Sequence, residues 1–298
     1  MVIWNPSAGS TTQADQLRQV LTDDPSVELI ETQSREEAIQ QVRRAADQRF
    51  RRVIAAGGDG TVNAVVTALF QSVSEGLSTP ELAVLPLGSG NDLARSLGMP
   101  LDPHAALEIC LQGAAAPMDL LEIELEGSPP RVAGNMVTAG NTGKYLNILT
   151  DELKQRWGAL CYLWGAVNLL DELEAFRAEL HIDEAPPVTV DMLNVFFANG
   201  RTSGGGMTVS PGASLDDGLM NVLVIRDGDG LDLAGLTMDY LASDVRENDL
   251  VSHYRCRRMR VVCTSPLPLS TDGDAAEARQ LTVSVRPGAI NAVRGPES

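Results

Sequence analysis

The feature that most constrains the fold is the alternation of short apolar runs with longer helical segments over the first 118 residues. Apolar runs occur at Met1–Trp4, Arg52–Ala56 and Glu81–Leu87, and the segments between them have helical periodicity. Within residues 61–70, for example, apolar residues recur at positions i, i+3, i+4 and i+7, which places them on one face of a helix. This order predicts a parallel β-sheet covered by helices.

After Pro117 the sequence changes to shorter, strand-like runs, which predict an antiparallel, β-rich second domain. We divide the chain into an α/β domain at 1–118, a β-rich domain at 119–285 and a C-terminal tail at 286–298 that returns to the first domain. One helical stretch, at about 151–176, interrupts the second half.

Charge and hydropathy exclude several classes of protein. The formal net charge of -17 would repel a phosphate backbone, so we expect no nucleic-acid partner. Because Met1–Trp4 already reads as a strand, we expect no signal peptide. The uncharged stretch 157–170 is shorter than the roughly 20 residues that a membrane-spanning helix needs. We therefore expect a soluble, cytoplasmic protein with no transmembrane segment, whose contact with a membrane is peripheral.

Three kinds of catalytic or structural site are not indicated by the sequence. The four cysteines show no CxxC spacing and the three histidines are isolated from one another, so neither a zinc site nor a disulfide framework is expected. A serine hydrolase of the GxSxG type is also not expected, because that motif does not occur.

Three glycine-bearing turns follow three of the predicted strands, at Asn5–Gly9, Gly57–Thr61 and Gly88–Asp92. Any one of them is common in a tight strand-to-helix connection. The carboxyl ends of parallel strands meet at one edge of a sheet, where glycines let backbone amides and helix N-termini approach a phosphate. Three such turns at one edge predict a polyphosphate-binding site.

This predicted site differs from the better-known phosphate loops, because neither GxxxxGK[ST] nor GxGxxG occurs in the chain. The two lysines, Lys144 and Lys154, lie outside the first domain. Amides, hydroxyls and a bound cation must therefore neutralise the phosphates.

Together, the three turns resemble the nucleotide-site motifs of the diacylglycerol kinase catalytic domain, the third extending over 86–95 as PLGSGNDLAR. The resemblance continues at Gly205-Gly206, Asp217-Gly218-Leu219 and Asp272-Gly273-Asp274. It implies a Rossmann-like parallel-sheet nucleotide domain, as in NAD kinase and diacylglycerol kinase, followed by a sandwich-like domain. It also implies an ATP-dependent kinase for a lipid hydroxyl, such as that of diacylglycerol, in phospholipid biosynthesis.

The same resemblance implies which residues form the site. It places Asp59 near the nucleotide and its metal, and it implies that Mg2+ is bound in the second domain by Ser214, Asp217 and Leu219, through the oxygen ligands that suit this ion. The residues that it implies for ATP binding are Asn5, Pro6, Ser7, Ala8, Gly9, Thr32, Gly57, Gly58, Asp59, Gly60, Thr61, Val62, Asn63 and Ser89.

The catalytic base is predicted from the Asp272-Gly273-Asp274 triplet. Phosphoryl transfer to an alcohol needs a carboxylate that accepts the hydroxyl proton. We favour Asp272, and Asp274 stays open because it stands where the family has Glu and is one methylene shorter. The triplet could instead be a simple hairpin turn. A second departure is Ala64, where the family has Glu.

Two other functions stay open. An NAD kinase-like phosphotransferase shares the Gly-Gly-Asp-Gly-Thr turn, and a low-activity nucleotide- or lipid-binding protein descended from a lipid kinase would account for Ala64 and Asp274.

The expected partners are ATP and a lipid presented from the membrane surface. The identity of the lipid and the oligomeric state, a homodimer included, are left open by the sequence.

Overall fold

The computed structural model describes residues 1–8, 12–142, 173–228, 232, 248–271 and 274–296. The first part of the chain alternates strands and helices, as the sequence predicts. Its elements are β1 (Val2–Trp4), α1 (Thr12–Asp23), β2 (Leu29–Glu31), α2 (Arg35–Asp47), β3 (Arg52–Gly57), α3 (Asp59–Ser74), β4 (Glu81–Pro86), α4 (Asp92–Ser96) and α5 (Pro103–Gln112).

Strands β4, β3, β1 and β2 form a parallel sheet in that order. Val2 pairs with both Leu29 and Ile54, and Arg52 pairs with Glu81. Every residue of β3 is buried, because helices cover both faces of the sheet. The parallel register brings the carboxyl ends of β1, β3 and β4 to one edge, where the three glycine turns lie.

Within the described residues, the second part of the chain consists almost entirely of strands, which confirms the prediction of a β-rich second domain. Its elements are β5 (Ala115–Leu125), β6 (Arg131–Ala133), β7 (Met136–Gly140), β8 (Phe176–Ile182), β9 (Val188–Ala198), β10 (Thr202–Ser203), β11 (Met207–Thr208), β12 (Met220–Arg226), β13 (Val251–Cys256), β14 (Arg258–Thr271) and β15 (Asp274–Val293).

These strands pair antiparallel and enclose a second apolar core. The long strands β9 and β14 each pair with β7 along one part and with β8 along another, so the sheet folds over itself like a sandwich. In β14, Met259, Val261 and Cys263 are buried in this core, whereas Arg258 and Arg260 are exposed. This period of two is typical of a sheet with one face in the core and one in water.

Strand β15 joins the two lobes. It pairs antiparallel with β14 and β5 in the second lobe, and near its end Ala292 pairs in parallel with Leu82 of β4. Residues 286–293 therefore extend towards the sheet of the first lobe. The domain boundary that we predict at residue 118 falls within the continuous strand β5.

The helix predicted at about 151–176 lies mostly outside the described residues, and Phe176 begins β8. Within the part of the chain that the structure describes, no helix has the length and apolar character needed to cross a membrane.

Candidate active site

The second glycine turn connects β3 directly to α3. A Cβ atom at Gly57 would overlap the side chain of Thr61, so only glycine fits there. Helix α3 begins at Asp59 with Gly58 as its N-cap residue, and no side chain caps it. The amides of an uncapped helix N-terminus are available to an anion, and the helix dipole favours negative charge there.

The first turn is ordered by Asn5. Its backbone amide donates to the carbonyl of Ala56 at 3.0 Å, and its side-chain Nδ2 donates to Thr61 Oγ1 at 3.1 Å. Its Oδ1 accepts from the amide of Ser7 at 3.0 Å. Asn5 therefore links the first turn to the second, and it leaves Pro6 and Ser7 exposed at the sheet edge. Ala8 is half-buried and Gly9 lies outside the described residues.

The third turn packs against the second through two glycines. A Cβ atom on Gly88 would collide with the Cα atom of Gly58. Asn91 holds the turn in shape, with a φ of 57° and with its side chain bonded to both the amide and the carbonyl of Gly88, at 3.0 and 2.6 Å. Ser89 is exposed at the tip. The three turns thus form one continuous surface.

Asp59 ties the second turn to the third. Its carboxylate accepts hydrogen bonds from the backbone amides of Asn91 at 3.0 Å and Asp92 at 2.9 Å. Burial raises the pKa of Asp59, and the nearby charge of Asp92 raises it further. Both carboxylate oxygens are thus engaged by the protein backbone, at the place where the sequence predicts a residue close to the nucleotide.

Asp92 connects the third turn to the second lobe. Its buried carboxylate accepts from the amides of Gly205 at 3.0 Å and Gly206 at 2.8 Å. Both glycines have positive φ, 91° and 98°, which L-residues with side chains rarely adopt. The Arg95 guanidinium packs against Gly206, where a Cβ atom would lie 2.9 Å from Arg95 Cζ. We name the contact between Asp92 and the amides of Gly205 and Gly206 the Asp92 junction.

Arg35 is a positively charged residue at the sheet edge that our sequence reasoning missed. Its Nη2 donates to Asn63 Oδ1 at 2.7 Å and to Thr67 Oγ1 at 3.0 Å. Thr32 directly follows β2 and is buried. Its amide donates a hydrogen bond to the carbonyl of Trp4 at 2.9 Å. An arginine four residues after the last residue of β2 was the available signal. The buried side chain of Val62 belongs to the apolar core of the first lobe.

The predicted Mg2+ turn is held by protein groups. Asp217 Oδ1 accepts from the amide of Leu219 at 2.9 Å, and its Oδ2 accepts from Arg255 Nη2 at 2.6 Å. The hydroxyl of Ser214 donates to Asp216. A cation at Asp217 would have to displace the guanidinium, so as arranged these residues do not fit Mg2+. Among the described residues there is no cluster of three or more His, Cys, Asp or Glu side chains that could hold a metal.

The structure describes only part of the triplet that contains the predicted base. Asp272 and Gly273 lie outside the described residues, and β15 begins at Asp274. Thr271 pairs with both Asp274 and Val137, so the strands that flank the triplet run beside the start of β7. There Asn135 accepts from the Ser96 hydroxyl at 3.0 Å, which brings β7 to the first lobe.

Comparison with known proteins decides the family. Residues 1–123 match the family model described as the diacylglycerol kinase catalytic domain, and residues 135–294 match the YegS C-terminal NAD kinase beta sandwich-like domain. The chain belongs to the diacylglycerol kinase-like lipid kinase family. The recognition made from the three glycine turns is thereby confirmed.

Individual relatives agree with this assignment. A protein of Xanthomonas euvesicatoria pv. vesicatoria (strain 85-10) named "Probable lipid kinase YegS-like" is 31% identical over 240 residues, which cover 80% of this chain and 77% of that protein. A protein of the same name from Pseudomonas aeruginosa, strain PAO1, is 32% identical over 240 residues, covering 80% of this chain and 74% of that protein.

The solved structures support the fold. A crystal structure of a diacylglycerol kinase from Bacillus anthracis str. Sterne aligns with a TM-score of 0.75 at 19% sequence identity, covering 99% of this chain and 96% of that chain. At this identity the likeness shows the fold alone.

Proposed function

We propose that this member of the family is an ATP-dependent kinase that transfers the γ-phosphate of ATP to the hydroxyl of a lipid such as diacylglycerol or a related lipid. One observation carries the proposal. The three glycine turns form one continuous surface at the carboxyl edge of the parallel sheet, and that surface meets the second lobe at the Asp92 junction.

The phosphates of ATP would bind to this surface through backbone amides. The uncapped N-terminus of α3 offers amides and a favourable dipole, and the exposed Ser7 and Ser89 offer hydroxyls. Arg35 would contribute positive charge in a domain that contains no lysine. Mg2+ entering with ATP would supply further neutralisation of the phosphate oxygens. The glycines keep the surface free of side chains that would hold the phosphates away.

The acceptor hydroxyl would lose its proton to Asp272 or Asp274. As its oxygen forms a bond to the γ-phosphorus, the bond from that phosphorus to the β,γ-bridging oxygen breaks, which yields ADP and a lipid phosphate. The lipid would reach the phosphorus from the second lobe, because the strands that flank the triplet lead to the interlobe junction.

The decisive experiment is transfer of labelled γ-phosphate from ATP with Mg2+ to detergent-dispersed lipids, with NAD as a parallel acceptor. Labelled lipid supports the proposal. Label in NAD alone supports the NAD kinase-like alternative, and ATP binding without transfer supports the low-activity alternative.

Two substitutions assign the base. Asp272→Asn and Asp274→Asn are compared with Asp102→Asn, because Asp102 is exposed and caps α5, a position where Asn serves equally well. General-base catalysis contributes about 10²–10⁴-fold, so one of the two variants should lose turnover on this scale while the control retains it. If both variants keep wild-type turnover, the triplet does not supply the base.

A further inference from the structure

A polar cavity of about 370 Å3 lies between the two lobes, separate from the glycine turns. Ser96 and Arg294 line it from the side of the first lobe, and Gly200, Arg201, Ser214 and Asp216 line it from the second. Its volume falls within the roughly 300–1,000 Å3 that is usual for small-molecule sites. We name it the Arg201–Arg294 pocket.

Arg294 brings an incompletely paired positive charge to this pocket. Only 16% of its side chain is exposed, and burial lowers the pKa of its guanidinium. Its Nη2 donates to the carbonyl of Pro117 at 2.8 Å, but the nearest carboxylate oxygen, on Asp216, is 4.0 Å away. That carboxylate is 55% exposed, so solvent screens it. The charge of Asp119 also acts on this guanidinium, but no described carboxylate oxygen lies closer than 4.0 Å. A cation withdrawn from water without a counterion in direct contact favours an anion beside it.

Arg201 adds a second positive charge from the other lobe. Its backbone amide is held by the hydroxyl of Ser96 at 3.0 Å, which fixes its position against α4. In the side chain, Nε donates to the carbonyl of Ala213 at 3.2 Å. Within the described part of the chain, neither terminal nitrogen has a hydrogen-bond partner. These donors are therefore available to a ligand.

The pocket is lined by more positive than negative groups, although the chain as a whole is acidic. The chain carries a net charge of -17, yet two guanidinium groups and one carboxylate line the pocket, and Oδ1 of that carboxylate already accepts from the hydroxyl of Ser214. A second carboxylate, on the buried Asp119, acts on Arg294 from behind the lining, and its two oxygens accept from the amides of Gly218 and Gly288. Paired arginines are suited to phosphate, because a planar guanidinium donates two parallel hydrogen bonds to its oxygens.

The pocket is close to the Asp92 junction without being part of it. Ser96 follows Asp92 by four residues on α4, so the two side chains share a helix face and are separated by a rise of about 6 Å. A ligand in the pocket would contact both lobes one helical turn from the junction.

We propose that the Arg201–Arg294 pocket binds the phosphate group of a phosphate ester and thereby bridges the two lobes. The phosphate could belong to a soluble ester or to the headgroup of a phospholipid, because both present the same oxygens. The site is independent of phosphoryl transfer, so its test does not require turnover.

The soluble ester is tested by titrating sn-glycerol 3-phosphate into the full chain in a calorimeter, without ATP. We expect binding to the wild type, and binding roughly tenfold weaker in Arg201→Gln, the factor expected for one charge-assisted hydrogen bond. Arg257→Gln is the control, because Arg257 is exposed, lies outside the pocket and carries the same charge. Circular dichroism checks that each variant is folded.

The headgroup is tested by co-sedimentation with vesicles of phosphatidylglycerol and phosphatidylcholine, compared with vesicles of phosphatidylcholine alone. Binding to the anionic vesicles that weakens in Arg201→Gln but not in Arg257→Gln supports the site for a headgroup, and the same pattern with glycerol 3-phosphate supports it for a soluble ester. Arg294→Lys, which keeps the charge but loses the planar fork, should also weaken binding.

Three outcomes would overturn the proposal. The first is that neither probe binds to the wild type. The second is that Arg201→Gln and Arg294→Lys bind like the wild type, which would place the phosphate at the glycine turns. The third is that Arg257→Gln weakens binding as much as Arg201→Gln, which would reduce the effect to overall charge.

Discussion

Replacing Asp92 with Asn should loosen the contact between the lobes while leaving the shape of the side chain nearly unchanged. The carboxylate accepts from two glycine amides at 3.0 and 2.8 Å and is only 8% exposed. Asn keeps one acceptor oxygen and turns an NH2 group towards the other amide. A hydrogen bond to a charged group contributes roughly 1.5–3 kcal/mol, and an unsatisfied buried donor costs about 1–3 kcal/mol. The junction should therefore weaken by roughly 2–4 kcal/mol.

Hydrogen exchange at the amides of Gly205 and Gly206 measures this change directly. If opening of the junction controls exchange, a loss of about 2 kcal/mol accelerates it roughly 30-fold. Turnover in the labelled-phosphate assay should fall as well, because the second lobe is no longer held against the third glycine turn. The Asp102→Asn control should leave both measurements at the wild-type level. Unchanged exchange at both glycine amides in Asp92→Asn would refute the role of this carboxylate as the link.

Three further predictions concern the glycine turns, pH and metal. Gly88→Ala should abolish ATP binding, measured by calorimetry, because the added methyl group would separate the second and third turns. Gly212→Ala is the control and should bind ATP like the wild type, since nothing lies within 4 Å of a Cβ atom at that position. The raised pKa of Asp59 means that the folded protein binds this proton more tightly than the unfolded chain, so stability decreases as pH rises from 3.8 through the folded pKa. The free energy of unfolding of Asp59→Asn, measured with urea, should not show this decrease. If the variant has the same pH profile as the wild type, the role given to Asp59 is contradicted. Arg255→Gln should free Asp217, so that Mg2+ raises the melting temperature of the variant more than that of the wild type, and an equal response would argue against competition between the two cations.

The first lobe was predictable because its signals are local. Strand and helix periodicities repeat within a few residues, and a glycine at a strand end reports a tight turn regardless of distant partners. The sequence could therefore assign the turns after β1, β3 and β4 to one edge. The roles given to individual residues of those turns stay predictions.

Contacts between distant residues were not predictable in the same way. Gly206 is 114 positions from Asp92, and Arg255 is 38 positions from Asp217. Neither pair follows a periodicity, so no local pattern indicates which carboxylate meets which donor. The partners appear only when the lobes are assembled.

The length of β15 was missed for a different reason. From the sequence we end the β-rich domain at residue 285, just before Pro287 and Gly288, which normally end a strand. The structure continues the strand through them with a shift in register between Arg286 and Ile290, which is the behaviour of a β-bulge. Asp119 stabilises this irregularity by accepting from the amide of Gly288 at 2.7 Å.

The path of β15 also constrains how the protein can be made. Ala292 pairs with Leu82, so one edge of the first lobe's sheet is completed by residues synthesised more than two hundred positions later. While the chain is still emerging from the ribosome, β4 would present an unpaired edge, which is a site for wrong pairing or aggregation. The first lobe should thus reach its final form only after the second has been translated, and a fragment ending near residue 118 would lack part of its own sheet.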